Sequence, residues 1–149
     1  MEYTIAPMLR AHLEQVEAIE RACFTDPWSG NLLREMLEAE NTVSLAALTP
    51  DGTVLGYLSF SFVLDEGGIN NLAVRPDCRR HGIASALLRQ AEQLAREKGL
   101  AFLILEVRPS NLEAVTLYGK HGYAEAGRRK NYYLHPREDA IYMKLELLP

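Results

Sequence analysis

Cysteine is scarce in this chain: Cys23 and Cys78 are the only two among 149 residues. They form no Cys-x-x-Cys pair and have no histidine at metal-ligand spacing, which argues against a zinc site or a disulfide framework; two free thiols and no metal are expected. No apolar run approaches the roughly 20 residues of a membrane helix, and Met1 to Arg10 lacks the apolar centre of a signal peptide, so a cytoplasmic protein away from membranes is expected. Positive charge is also in deficit. The net charge of −4 gives no reason to expect a nucleic-acid partner or an anionic lipid surface. Internal repeats, low-complexity tracts and interdomain linkers are absent.

What is present is an apolar content of 48%, enough for the core of one domain spanning 1–149. Tyr3 to Ala6 reads as a short strand. Leu13, Val16, Ile19 and Cys23 recur at helical spacing, Pro27 breaks the pattern, and Ser29 can cap a second helix with Leu32, Leu33, Met36 and Leu37 facing inward. Strand patterns follow at Thr42 to Leu48, Thr53 to Leu64 and Gly68 to Val74, with Asp51-Gly52 as a hairpin signal, so an antiparallel meander is expected. The stripe from Ile83 to Ala95, ended by Lys98-Gly99, is a long helix, and Ala101 to Val107 is a strand buried on both faces; strand, helix, strand predicts a parallel crossover. Ser110-Asn111-Leu112-Glu113 fits a capping box, and strand-like segments follow at Tyr123 to Gly127, Asn131 to Leu134 and Ala140 to Leu147. The fold class is α+β, a mixed, mostly antiparallel sheet with helices on both faces.

Three places carry chemistry. The loop Arg79-Arg80-His81-Gly82 precedes the long helix, whose first N–H groups and positive dipole end point into it, which makes an anion site. Glu106 interrupts an apolar strand, where apolar surroundings favour a carboxyl suited to general-base work; the plainer reading is a strand-end residue in solvent or paired with Arg108. Asn111 and Tyr118 share a helix face roughly 10 Å apart along the axis. Taken singly, the tyrosine reads as a core aromatic and the asparagine as a helix-start residue. All three places fall within one stretch where a sheet and two helix starts converge.

Arg79-Arg80-His81-Gly82-Ile83-Ala84 resembles the Q/R-x-x-G-x-G/A pyrophosphate loop of the GCN5-related N-acetyltransferases, the GNAT family, which move an acetyl group from acetyl-coenzyme A to an amine. Asp26-Pro27-Trp28-Ser29, Val63-Leu64-Asp65-Glu66, Leu105-Glu106-Val107-Arg108, Leu117-Tyr118 and Asn131-Tyr132-Tyr133 with Arg137-Glu138-Asp139-Ala140 are similar to the RimI type, which acetylates the N-terminal alanine of a small-subunit ribosomal protein. The resemblance implies Glu106 as proton acceptor and Tyr118 as proton donor. It also implies Leu72, Ala73 and Val74 against the acetyl and pantetheine part, Arg80, His81, Gly82, Ile83, Ala84 and Ser85 around the pyrophosphate, and Asn111 on the cofactor arm. In such proteins the strand ending at Val74 splays from that ending at Val107, leaving an edge for the arm to pair with.

Acetyl-coenzyme A is thus the implied cosubstrate, with a protein N-terminus, a ribosomal protein's in particular, as partner. Trp28, Glu66, Tyr132 and Tyr133 are candidates for the acceptor groove, although such aromatics also serve as packing residues. A small-molecule or lysine amine, or a non-catalytic acetyl-coenzyme A sensor, are the alternatives.

Overall fold

Residues 1–148 are described in a computed structural model. Strand β1 (Thr4–Pro7) leads to helix α1 (Leu13–Cys23), which buries Val16, Ile19 and Glu20. The chain turns extended at Phe24, ahead of Pro27, and Ser29 caps helix α2 (Gly30–Glu38), its Oγ accepting from the Leu32 N–H at 3.2 Å. Leu33 and Met36 face inward as the spacing predicts, but Leu32 is 49% exposed. At about 100° per residue the stripe runs Leu32, Met36, Leu33, Leu37, so Leu32 stands at its outer edge, about 40° beyond Met36.

Strands β2 (Thr42–Leu48), β3 (Val54–Val63) and β4 (Glu66–Val74) continue the antiparallel meander from β1. The β3–β4 turn is tighter than the glycines suggest: Val63 pairs with Glu66 across Leu64 and Asp65, with Leu64 at φ 56°. Gly67 serves a close approach instead. A Cβ there would lie 2.8 Å from Leu100 and 2.9 Å from Leu103, both in the segment that brings the next strand alongside.

Helix α3 (Ile83–Glu97) is the crossover to β5 (Phe102–Val107), which lies parallel to β4. Within β5, Leu103, Leu105 and Val107 are buried, Phe102 and Ile104 half-buried and Glu106 exposed. The expectation of a strand buried on both faces is therefore corrected, because only one face meets the helices. Helix α4 (Leu112–Lys120) is capped by Asn111, whose Oδ1 accepts from the Ala114 N–H at 3.2 Å, rather than by Ser110. Ser110 donates from both its N–H and its hydroxyl to Glu138, at 2.8 Å each, and is not available as a cap.

The chain ends in the hairpin β6 (Ala124–Leu134) and β7 (Arg137–Glu146). The two late segments expected on either side of Arg128-Arg129-Lys130 are one strand, with register irregularities at Glu125/Gly127 and Arg129/Tyr133. Charged side chains are tolerated because β6 is the sheet edge and is exposed nearly throughout. The sheet order is β1-β2-β3-β4-β5-β7-β6.

Helices cover both faces. Val16, Ile19, Leu33 and Met36 of α1 and α2 meet Ala46, Val54 and Tyr57 on one side. Leu87, Leu88 and Ala91 of α3, with Tyr118 of α4, meet Leu58, Phe60, Leu103 and Met143 on the other. Leu87 and Leu88 are fully buried, each contributing about 1.5–3 kcal/mol of transfer free energy. Among the described residues no helix is long and apolar enough to cross a membrane.

Candidate active site

The parallel pair β4 and β5 is joined over only three positions, Glu66 to Gly68 against Phe102 to Ile104. Beyond them the strands part, so the backbone of β4 from Ile69 to Val74 has no strand partner on that side. Two cavities occupy the gap. The first, of about 590 Å³, is lined by Leu72, Ala73 and Val74 of β4 and by Arg80, Gly82, Ile83, Ala84 and Ser85 at the start of α3. The second, of about 670 Å³, is lined by Glu106, Trp28, Tyr132 and Tyr133 among others. Leu72, Asn111 and Tyr118 belong to both walls and mark where the cavities meet.

At the mouth of the first cavity the backbone is shaped for close approach to an anion. Gly82 stands at the N-cap of α3 with φ 76°, and having no side chain it leaves the first N–H groups uncapped. Arg80 also has positive φ, 67°. Arg75 is ion-paired with Asp77 at 2.7 Å, which leaves Arg79, Arg80 and Lys120 as the cations of the cavity wall. His81 departs from expectation: it lies outside the lining of both cavities, and its carbonyl accepts from the Tyr3 hydroxyl at 3.3 Å.

At the junction, Tyr118 is buried, with its ring edge-on to Tyr123 at 5.8 Å. Burial, and secondarily Tyr133, pushes its phenol well above the usual range, so the hydroxyl keeps its proton at neutral pH. Glu106 sits opposite on β5 and opens to the second cavity. Its charge is felt by both neighbouring phenols. Tyr132 is pushed up to about 12, first because the Glu106 carboxylate stands as acceptor to its hydroxyl, and Tyr133 is pushed up to about 12 by burial and then by Glu106. Cys23 lines both cavities, and its thiol, held protonated by burial, donates to the Val74 carbonyl at 3.4 Å.

Glu66 does not join this group. It pairs with Val63 and Phe102 at the start of β4, outside both cavities, because the strand runs its full length between Glu66 and Val74. Arg108, offered as a partner for Glu106, pairs instead with Glu138 at 3.3 Å and lies 4.2 Å over the Tyr133 ring.

The outer wall of the second cavity is a bridge between the α1–α2 loop and the β6–β7 hairpin. Thr25 Oγ1 donates to the His135 carbonyl at 2.6 Å, and His135 Nδ1 lies 3.1 Å from Asp26. Arg108 donates to the carbonyls of His135 and Pro136 from below. The inner wall holds a carboxylate that the sequence reading passed over. Glu20 is fully buried, accepting from the Trp28 N–H and Asn71 Nδ2, each at 2.8 Å, and from the Tyr57 hydroxyl. A signal existed: Glu20 follows Val16 by four residues and so falls on the apolar stripe of α1.

The acetyltransferase (GNAT) family model matches residues 13–123. The chain belongs to this family. A [ribosomal protein bS18]-alanine N-acetyltransferase of Escherichia coli (strain K12) is 36% identical over 146 residues, covering 97% of each chain. The crystal structure of the ribosomal-protein-S18-alanine N-acetyltransferase from Escherichia coli superposes with a TM-score of 0.91 at 34% identity, over 99% of this chain and 96% of that one. Ard1 from Thermoplasma volcanium gives a TM-score of 0.91 at 27% identity over the whole of both chains. The α+β architecture and the acetyltransferase class expected from the pyrophosphate loop are thus those of the chain. Among the described residues no group of three or more His, Cys, Asp or Glu side chains is placed to hold a metal ion.

Proposed function

We propose that the first cavity holds acetyl-coenzyme A and the second a protein N-terminus, and that the chain acetylates the N-terminal alanine of a small-subunit ribosomal protein, as the name of the Escherichia coli relative states for that protein. The observation that carries this reading is the meeting of the two cavities at Leu72, Asn111 and Tyr118, with Glu106 on the wall of the second. The residues fit the donor. The uncapped N–H groups of α3 with Arg79 and Arg80 suit a pyrophosphate, and the unpaired edge of β4 suits an extended amide arm. Such a substrate acts in the cytoplasm.

When bound, acetyl-coenzyme A supplies the activated acetyl group and a thiolate leaving group. An α-amino group has a pKa near 8, so the acceptor arrives mostly as an ammonium and must lose a proton before it attacks. Glu106 is the proton acceptor, and its exposure to the cavity lets water carry the proton to it. As the C–S bond breaks, Tyr118, protonated and buried where the cavities join, delivers a proton to the departing sulfur, and the hydrogen that the attacking nitrogen sheds on becoming an amide returns to it through water. Trp28, Tyr132 and Tyr133 form the acceptor walls, and Asn111 keeps its side-chain NH2 free for the donor arm while its oxygen caps α4.

Peptides beginning with Ala, Ser, Met or Gly, run beside lysine peptides and polyamines, test the acceptor. Fastest transfer to the Ala peptide is expected. Faster transfer to a lysine peptide or a polyamine overturns the acceptor assignment, and donor binding without transfer to any amine overturns catalysis.

A further inference from the structure

Ser85 and Glu92 lie two turns apart on α3 and so share a face, and His121, which ends α4, fits between them. The imidazole Nε2 is 3.1 Å from Ser85 Oγ, and Nδ1 is 3.4 Å from Glu92 Oε2. The acid and the imidazole are nearly enclosed, at 9% and 10% side-chain exposure. Glu92 Oε2 has no hydrogen bond, and the equally buried Tyr123 hydroxyl beside it has none either. The other charged groups nearby are Arg96, one turn on in α3 and acting on Glu92 through its charge, and Lys120, at the end of α4 and on the wall of the first cavity. Burial pushes the Glu92 carboxyl up, and the His121 imidazole and the Tyr123 hydroxyl that stand against it oppose that push; of these two only the imidazole can carry a positive charge to face the carboxylate.

Ser85 lies at the other end of this chain of contacts, in the first turn of α3, where it lines the first cavity. Its hydroxyl has one hydrogen, and the state of His121 decides where that hydrogen goes. A neutral ring with its proton on Nδ1 offers a lone pair at Nε2, which takes the hydroxyl hydrogen and turns it away from the cavity. A protonated ring donates from Nε2 to Ser85 Oγ, and the hydroxyl is then free to donate into the cavity.

We propose that His121, backed by Glu92, is a proton-dependent positioning residue for the phosphates of the acetyl donor, setting Ser85 as a donor when protonated and gaining a proton when the donor binds. This rests on the reading of the first cavity as the acetyl-coenzyme A site. Since the bound state favours the protonated ring, the extra affinity is present at low pH and is lost as pH rises through the ring's titration in the complex. An imidazole ordinarily changes charge between about pH 5 and 8, and one linked proton changes affinity by at most about tenfold per pH unit.

The test is calorimetric titration of the full chain with coenzyme A, from pH 6 to 8, in two buffers of unlike ionisation enthalpy. The ligand's own 3′-phosphate titrates near pH 6, so the comparison is between wild type and His121→Gln, which keeps a donor to Ser85 but cannot take the proton. Wild type is expected to take up a larger fraction of a proton than the variant, and its affinity to fall about three- to tenfold more over the range. Ser85→Ala, at a half-buried position, should bind more weakly and lose the same excess. A merely structural His121 would shift affinity equally at every pH. Equal proton uptake in wild type and His121→Gln overturns the proposal, and should that variant fail to fold, undiminished uptake in Ser85→Ala does so. If coenzyme A does not bind wild type at all, the reading of the first cavity falls and this one with it; binding with equal uptake in all three removes this one alone.

Discussion

Tyr118 keeps its proton because burial disfavours the phenolate, and that proton is what a leaving thiolate requires. Tyr118→Phe should lower kcat by about 10²-fold or more while the dissociation constant for acetyl-coenzyme A stays within about twofold, read from steady-state kinetics and calorimetry. Unchanged kcat would remove Tyr118 from the chemistry. In the proposed mechanism Glu106 acts earlier, on the ammonium. The deficit of Glu106→Gln should shrink as pH rises past about 8, where the α-amino group loses its proton unaided. A deficit that stays constant from pH 7 to 9.5 would make Glu106 a binding residue. Glu20 acts on structure: Glu20→Ala leaves the fully buried Tyr57 hydroxyl, and the half-buried Trp28 N–H and one Asn71 N–H, with one acceptor fewer. At about 1–3 kcal/mol for each unsatisfied buried group, a loss of about 3 kcal/mol in a urea titration is expected.

Among the elements, the start of α3 and the bridge over the second cavity divide the work. Gly82→Ala places a Cβ at φ 76° with only the Tyr3 hydroxyl nearby, at 3.9 Å, so the cost is conformational rather than a clash. About 1–2 kcal/mol of backbone strain is expected, seen as weaker donor binding with little change in acceptor KM. The bridge should do the reverse. Thr25→Val removes the hydroxyl that reaches the His135 carbonyl and should raise the acceptor KM several-fold while donor affinity holds. A change confined to donor affinity would show that the two cavities do not divide as described. Elements were also where sequence patterns misled. The strand expected to start at Gly68 left Gly67 outside it because glycine breaks strands, yet Gly67 is inside β4 because no side chain fits against Leu100 and Leu103. Arg128-Arg129-Lys130 read as a gap between strands because charge is depleted in sheets, yet an edge strand with an exposed face accommodates it.

For the whole molecule, the opening between β4 and β5 is the central fact, since a donor lying in it adds contacts between α3, α4 and the strand edge. Coenzyme A at a hundred times its dissociation constant should therefore stabilise the chain by about 2.7 kcal/mol. For a chain near this size that is a rise in Tm of about 5–10 °C, measurable by thermal unfolding. No rise at any concentration would mean that coenzyme A does not bind the folded chain, and the reading of the first cavity would fall.

The order of helices and strands up to the last hairpin, the basic loop ahead of α3, and the placement of Glu106 on a strand and of Asn111 and Tyr118 on a helix were legible in the amino-acid order. Each depends on periodicity, caps and breakers acting over a few residues. Only the tertiary structure decided that Glu106 opens to a cavity rather than lying in an apolar enclosure, that Tyr118 stands where two cavities meet, and that Glu66 and His81 are absent from both cavity linings. The pairings of Glu20 with Asn71, Arg108 with Glu138 and His121 with Ser85 and Glu92 belong to the same group. These depend on how far β4 and β5 diverge and which loops meet above the gap. Residues distant in sequence set that geometry, so no local pattern encodes it.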